Sequence, residues 1–131
     1  MDAPTAEPSL PTLLIVEDEK SNLVSLERIF QREGFRTLLA EDARIGLEMC
    51  RKHRVHVVLT DLMMPGMNGL QFAAAVQAIR PGLPVVVLSA FSEGCQAEDI
   101  RRSGIREFIV KPAGLIPIAE AVRRALNSPI P

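Results

Sequence analysis

The run Val55-His56-Val57-Val58-Leu59-Thr60-Asp61, near the middle of the chain, is the most informative about its fold. The run is almost continuously apolar and β-branched, and it ends on a carboxylate. Such a pattern is typical of a strand that is buried on both faces in a parallel sheet. Turn-forming residues follow at 65–69, where the sequence is Pro-Gly-Met-Asn-Gly. The stretch therefore predicts a central strand that carries Asp61 at its carboxyl end.

Similar runs recur along the chain and alternate with segments of helical period. The predicted strands are residues 12–16, 35–39, 55–60, 84–89 and 107–110. A helix is predicted after each strand. Ser21 and Asp42 are the expected N-caps of the first and second helices. The fourth helix is predicted at residues 93–103, and the last helix starts near Leu115. Because parallel crossovers are right-handed and cover the sheet with helices, this alternation predicts an α/β fold. We expect a three-layer doubly wound sandwich with a five-stranded parallel sheet of order 2-1-3-4-5 and five helices.

Composition favours a single domain with a proper core, since 47% of the 131 residues are hydrophobic. Residues 1–11 contain three prolines among small polar residues and are expected to be a mobile leader. The folded domain is predicted to cover residues 12–126. Residues 127–131 are expected to be a tail or the start of a linker.

The charge pattern argues against several classes of partner. Fifteen basic and 16 acidic residues are interspersed, which predicts no direct contact with nucleic acid. No apolar run reaches the roughly 20 residues of a membrane span, and the start lacks a signal-peptide pattern. We therefore expect a cytoplasmic domain without membrane contact. Cys50 and Cys95 lack metal or redox spacing and are expected to be inert thiols.

Chemically active side chains stand at the carboxyl ends of four predicted strands. They are Glu17 and Asp18 after the first strand, Asp61 after the third, Ser89 at the end of the fourth and Lys111 after the fifth. In an open parallel α/β sheet these ends share one edge, where ligands bind. The sequence therefore predicts that these residues converge on one site.

Three carboxylates at that edge call for a compensating cation. Two like charges about 4 Å apart repel by ~4 kcal/mol at an effective dielectric constant near 20. A proton or a metal ion must offset this repulsion, and all-oxygen ligands favour Mg2+. Lys111 and Ser89 supply a positive charge and a hydroxyl for phosphoryl oxygens. Together these residues predict a pocket in which an aspartate becomes phosphorylated.

Four motifs then make the chain similar to a known family. The chain resembles the receiver domain of two-component response regulators over residues 12–126, and the motifs are Ile15-Val16-Glu17-Asp18-Glu19, Thr60-Asp61-Leu62-Met63-Met64-Pro65-Gly66-Met67-Asn68-Gly69, Leu88-Ser89-Ala90 and Val110-Lys111-Pro112. The resemblance implies that Asp61 is the phosphoacceptor. It also implies a Mg2+ ion held by Asp18 and Asp61 directly, by Glu17 through a water molecule, and by the backbone carbonyl of Met63.

The same resemblance implies a conformational switch. Lys111 would pair with Asp61 and then with the phosphoryl group, Ser89 would move to bind a phosphoryl oxygen, and Phe108 would turn inward. The signalling face would consist of the predicted helix at 93–103, the last strand and the last helix. Glu17, Ser89 and Phe108 stand where aspartate, threonine and tyrosine are more usual in the family. The Phe108 ring therefore lacks a phenol that could bond a partner.

The resemblance also implies partners and leaves other functions to be weighed. The phosphoryl donor would be a histidine kinase or a histidine phosphotransfer protein, and the output a downstream effector domain or protein. Homodimerisation on phosphorylation stays open. An aspartyl-phosphate phosphatase would need a second aspartate where Met63 stands, and Glu17 and Asp18 would repel the phosphate of a flavodoxin-like nucleotide ligand. A binding module that no longer uses phosphate is the strongest alternative.

Overall fold

A computed structural model describes residues 10–62, 66–89, 102–110 and 114–127. Within these residues the chain forms five strands and four helices, in the order β1 (Thr12–Val16), α1 (Lys20–Arg32), β2 (Arg36–Ala40), α2 (Ala43–Lys52), β3 (Val57–Asp61), α3 (Gly69–Ile79), β4 (Val85–Ser89), β5 (Ile105–Val110) and α4 (Leu115–Asn127). Most of the helix predicted at 93–103 and most of the predicted leader lie outside the described residues; of that helix, only residues 102 and 103 are described. No helix of the described chain is long and apolar enough to cross a bilayer.

The five strands form one parallel sheet of order β2-β1-β3-β4-β5, which confirms the predicted order. Only β1 has the predicted bounds; β2 lies one residue later than predicted, β4 starts one residue later, and β3 and β5 differ by two residues at their starts. β3 starts at Val57 instead of residue 55, because His56 uses its ring Nδ1 to accept the N–H of Thr12 at 3.0 Å. β5 starts two residues early, at Ile105, and its pairing with β4 is irregular between Val85 and Val86.

Apolar side chains cover both faces of the sheet, as the continuous strand runs predicted. Leu13 and Ile15 of β1 pack on one face with residues of α1 and α4, including the fully buried Phe30. Leu14 of β1 packs on the other face with residues of α2 and α3, including the fully buried Phe72. These two layers hold the central strands rigidly, so the residues at their carboxyl ends have fixed positions.

Helix starts follow local capping chemistry, with one exception. Asp42 caps α2 by accepting the N–H of Ile45 at 2.8 Å, as predicted. Ser21 was expected to cap α1, but that prediction is wrong: the N-cap is Glu19, and the Ser21 hydroxyl inside the helix donates to the Glu19 carboxylate at 2.9 Å. The last helix, α4, begins at Leu115 as expected.

Candidate functional site

The three predicted carboxylates come together at the carboxyl edge of the sheet. Glu17 and Asp18 directly follow β1, and Asp61 is the last residue of β3. These strands are neighbours, with Val16 paired to Thr60. One carboxylate oxygen from each acidic residue lies within 4.8 Å of the other two. Residues that are 44 positions apart in the sequence therefore form one acidic cluster.

The loop after β1 fixes Glu17, the innermost member of the cluster. Its side chain is buried, and its Oε2 accepts the backbone N–H of Glu19 at 3.0 Å. Its backbone N–H donates to the carbonyl of Ala40, at the end of β2, at 3.0 Å. The longer glutamate side chain thus folds back onto its own loop, whereas Asp18 is exposed. The cluster therefore runs from a buried carboxylate to a solvent-facing one, with Asp61 half-buried between these extremes.

Close backbone packing holds Asp61 in place. The N–H of Leu62 donates to the carbonyl of Leu88 in β4 at 2.9 Å, and the N–H of Gly69 donates to the carbonyl of Leu62 at 2.7 Å. A Cβ atom at Gly69 would lie 2.9 Å from the Cα of Leu62 and 3.1 Å from the carbonyl oxygen of Asp61. Only glycine lets the start of α3 approach the phosphoacceptor candidate this closely.

Sequence reasoning assigned Gly69 only to a turn and missed this positioning role. The available signal was the pair Asn68-Gly69. Asn68 caps α3 in a reciprocal capping box with Gln71, so the helix must begin at Gly69. Glycine has a low helix propensity, so its presence at the first helical position has no advantage for the helix itself. It indicates instead that the backbone there lies close to a residue outside the helix.

The chemistry of the cluster fits a hard divalent cation. All of its donor atoms are carboxylate oxygens, which Mg2+ prefers, and the exposed side leaves room for the waters that Mg2+ retains. Because these oxygens lie within 4.8 Å of one another, two unit charges on them repel by at least about 3 kcal/mol at an effective dielectric constant of about 20. A cation between the carboxylates would convert this repulsion into attraction. Glu17, Asp18 and Asp61 are the described residues that could hold it.

Of the remaining predicted site residues, the structure describes Ser89 and Phe108. Ser89 is completely buried at the end of β4, where it pairs with Val110 of β5. Phe108 is partly buried and packs against the apolar layer beneath α2 and α3. Lys111 directly follows Val110, and Met63 stands two residues after Asp61, but both lie outside the described residues. The predicted roles of these four residues stay predictions.

A surface ion pair joins the last strand to the last helix. The guanidinium of Arg124 in α4 donates to the Glu107 carboxylate in β5 at 2.9 Å. This hydrogen bond, and then the charge of Glu107, raises the pKa of the Arg124 guanidinium. Because Arg124 is exposed, the pair adds little stability. It belongs to the predicted signalling face.

A model of the response regulator receiver domain matches residues 13–123, which is most of the chain. The chain belongs to this family. The receiver domain is 31% identical over 119 residues to the transcriptional regulatory protein GlrR of Escherichia coli, and the match covers 91% of this chain and 27% of GlrR. It is 33% identical over 128 residues to the sensor histidine kinase AruS of Pseudomonas aeruginosa, covering 95% of this chain and 12% of AruS. The receiver domain thus spans about a quarter or less of these relatives.

Shorter relatives and solved structures agree. Sporulation initiation phosphotransferase F of Bacillus subtilis is 27% identical over 114 residues, which cover 87% of this chain and 92% of that protein. A receiver domain structure from Methanospirillum hungatei superposes with a TM-score of 0.85 at 24% identity, covering 91% of this chain and 95% of that one. At this identity the structural likeness supports the fold alone. This likeness agrees with the predicted five-stranded parallel sheet of order 2-1-3-4-5, whereas the fifth predicted helix, at 93–103, stays a prediction.

Proposed function

We propose that this receiver domain accepts a phosphoryl group on Asp61 from the phosphohistidine of a histidine kinase or a histidine phosphotransfer protein. One observation carries the proposal: Asp61 ends a central strand within 4.8 Å of the carboxylate oxygens of Glu17 and Asp18. Family membership supplies the two-component context. We further propose residues 12–126 as the bounds of the functional unit.

The transfer is a nucleophilic substitution at phosphorus. A carboxylate oxygen of Asp61 forms the new P–O bond while the P–N bond of the donor breaks, and the imidazole leaves with the bonding electron pair. Burial of the neighbouring Glu17 and the backbone bonds behind Asp61 keep the nucleophile oriented. Mg2+, when bound, would supply charge neutralisation of the phosphoryl oxygens.

The residues beside the cluster have distinct proposed roles. Asp18 and Asp61 would ligate Mg2+ directly, Glu17 would hold a metal-bound water, and Met63 would contribute its backbone carbonyl. Lys111 would pair with the phosphoryl group once it is attached to Asp61. Positive charge at that point favours the dianionic acyl phosphate over the single charge of the resting carboxylate.

Signal output is proposed to pass through Ser89 and Phe108. Ser89 is buried at the end of β4, so its hydroxyl would have to shift toward the phosphoryl group to bond it. The partly buried Phe108 ring of β5 would then turn inward. Because this ring carries no hydroxyl, its movement would change the shape of the proposed signalling face and not its hydrogen bonding. A downstream effector domain or protein, or a second copy of the chain, would read that surface.

This role makes the domain a switch and not an enzyme that acts on other substrates. The reactions that it would promote are its own phosphorylation and dephosphorylation. The alternatives of a phosphatase and of a nucleotide binder have no support from family membership. A phosphate-independent binding module is the alternative that an experiment must exclude.

Intact-mass spectrometry after incubation with Mg2+ and acetyl phosphate tests the proposal. The wild-type chain should gain one phosphoryl group in an acid-labile adduct, and Asp61→Asn should gain none. Asp42→Asn is the matched control, because it removes a carboxylate from the same edge and asparagine caps helices as well as aspartate. An adduct on Asp61→Asn, or none on the folded wild type, would refute the proposal.

A further inference from the structure

A second pocket opens at the opposite, amino-terminal edge of the sheet. Its volume is about 320 Å3, and it lies where the chain enters β3 and β4. Residues 54–56 form one wall and residues 80–84 the other. The sheet separates this pocket from the acidic cluster, so the two cannot share a ligand.

Basic and donor side chains line this pocket, and a hydrogen bond anchors one of its two arginines. Arg80 donates its Nε–H to the carbonyl of Cys50, near the end of α2, at 3.0 Å. This bond orients the guanidinium and leaves its Nη groups available. Among the described residues neither Arg80 nor Arg54, in the facing wall, has a carboxylate partner.

His56 adds a ring N–H donor to the same pocket. Its ring Nδ1 accepts the N–H of Thr12 at 3.0 Å, so the neutral ring carries its proton on Nε2. A third guanidinium stands beside the wall, because Arg106 donates to the carbonyl of Gly82 at 3.4 Å. Pro81 and Pro84 stiffen the segment between these groups. The lining therefore combines guanidinium donors with a ring N–H donor, and hydrogen bonds hold Arg80 and His56 in place.

We propose that Arg54, His56 and Arg80 form an anion site for a phosphate group that carries at least two negative charges. Guanidinium groups bind phosphate oxygens through paired, charge-assisted hydrogen bonds. A cleft lined by one sign of charge also raises the local concentration of counter-ions. The phosphate group could belong to inorganic phosphate or to a nucleotide.

An alternative explains part of the arrangement. Arg80 stabilises the carbonyl end of α2, where a positive charge is favourable, whether or not an anion binds. That role does not require Arg54, which forms no hydrogen bond or ion pair among the described residues. Arg54 is therefore the residue whose substitution separates a binding site from a helix cap.

Amide chemical shifts of the full chain, measured without Mg2+, test the site. Inorganic phosphate and ADP are titrated separately, against sodium chloride of equal ionic strength. We expect saturable shifts at residues 54–56 and at residues 80, 82 and 83 with both phosphates. Binding to Arg54→Gln should be roughly tenfold weaker, since one charge-assisted hydrogen bond is lost. Arg28→Gln, an exposed arginine on α1, and Asp61→Asn should bind as tightly as the wild type. If ADP binds more tightly than inorganic phosphate, the ligand is a nucleotide. If the two bind equally, the ligand is inorganic phosphate.

Three results would overturn the site. Shifts that sodium chloride reproduces would indicate general screening only. Shifts confined to the carboxyl edge of the sheet would indicate that the anion binds elsewhere. Equal weakening by Arg28→Gln and Arg54→Gln would show that net charge, and not the pocket, determines binding. Because Asp61→Asn retains this pocket, failure of the anion site and failure of Asp61 phosphorylation are separate outcomes.

Discussion

Replacing Gly69 with alanine should displace the backbone on which Asp61 depends. The added methyl would lie 2.9 Å from the Cα of Leu62 and 3.1 Å from the carbonyl oxygen of Asp61. Backbone atoms cannot rotate away as a side chain can, so α3 or the Asp61-Leu62 peptide must move. Overpacking of this kind costs ~1–3 kcal/mol. The methyl also gains up to about 1 kcal/mol of helix propensity.

The expected balance is a loss of about 1–2 kcal/mol in the free energy of unfolding, measured with urea. Phosphorylation by acetyl phosphate should also slow, because a misplacement of about 1 Å can cost 100-fold in rate. The control is Gly34→Ala at the far edge of the sheet. Gly34 has a φ of +91° and open space around its Cα. That substitution should cost ~1–2 kcal/mol through backbone strain, but leave the phosphorylation rate unchanged.

The comparison separates positioning from stability. If Gly69→Ala unfolds at the wild-type urea concentration and is phosphorylated at the wild-type rate, the close approach of α3 does not position Asp61. If both glycine variants slow phosphorylation equally, the effect is one of general stability. Only a rate loss confined to Gly69→Ala agrees with the geometry.

Two further predictions concern the core. Phe72→Ala removes a fully buried ring beneath α2 and α3 and should lower the free energy of unfolding by roughly 3–5 kcal/mol; a loss below 1 kcal/mol would contradict the packing. Burial raises the pKa of the Cys50 thiol from 9.0 to about 11. The thiol ionises at a lower pH in the unfolded chain than in the folded one, so its ionisation favours unfolding. The stability that the neutral thiol contributes is complete below pH 9 and declines as the pH rises through 11. The free energy of unfolding should fall by ~2 kcal/mol at pH 11. Between pH 8 and pH 11, the free energy of unfolding measured with urea should therefore fall further for the wild type than for Cys50→Ala. Equal decreases would show that ionisation of Cys50 is not the cause.

Much of the fold could be predicted because the decisive signals are local. Unbroken apolar runs such as 85–88 identify strands buried on both faces, and the observed sheet has the predicted order. Asp42 caps its helix as its position indicated. The acidic cluster was also predictable, because the carboxyl ends of parallel strands necessarily share an edge. Once the ends of β1 and β3 are predicted correctly, the three carboxylates are expected to lie together.

The errors arise where conformations or contacts outside the predicted element override its local preference. Ser21 is a good cap in isolation, but the extended backbone at Glu19 starts α1 earlier. His56 continues an apolar alternation, yet its ring bonds Thr12 across the neighbouring strand, and β3 begins after it. The Asn68-Gly69 pair indicates a close contact at the start of α3, but the identity of the partner, Leu62, follows only from the packing of α3 against the end of β3. Each miss reflects a partner that is distant in sequence or outside the element.

Paramagnetic broadening of amide signals by Mn2+, an oxygen-seeking substitute for Mg2+, tests the carboxylate cluster most directly. Amides next to Glu17, Asp18 and Asp61 should broaden first, and the ion should bind at least roughly tenfold more weakly to Asp18→Asn, since one ligand charge is lost. Asp42→Asn should bind the ion as the wild type does. Broadening centred away from these three residues, or equal affinity in Asp18→Asn and wild type, would contradict the proposed metal site.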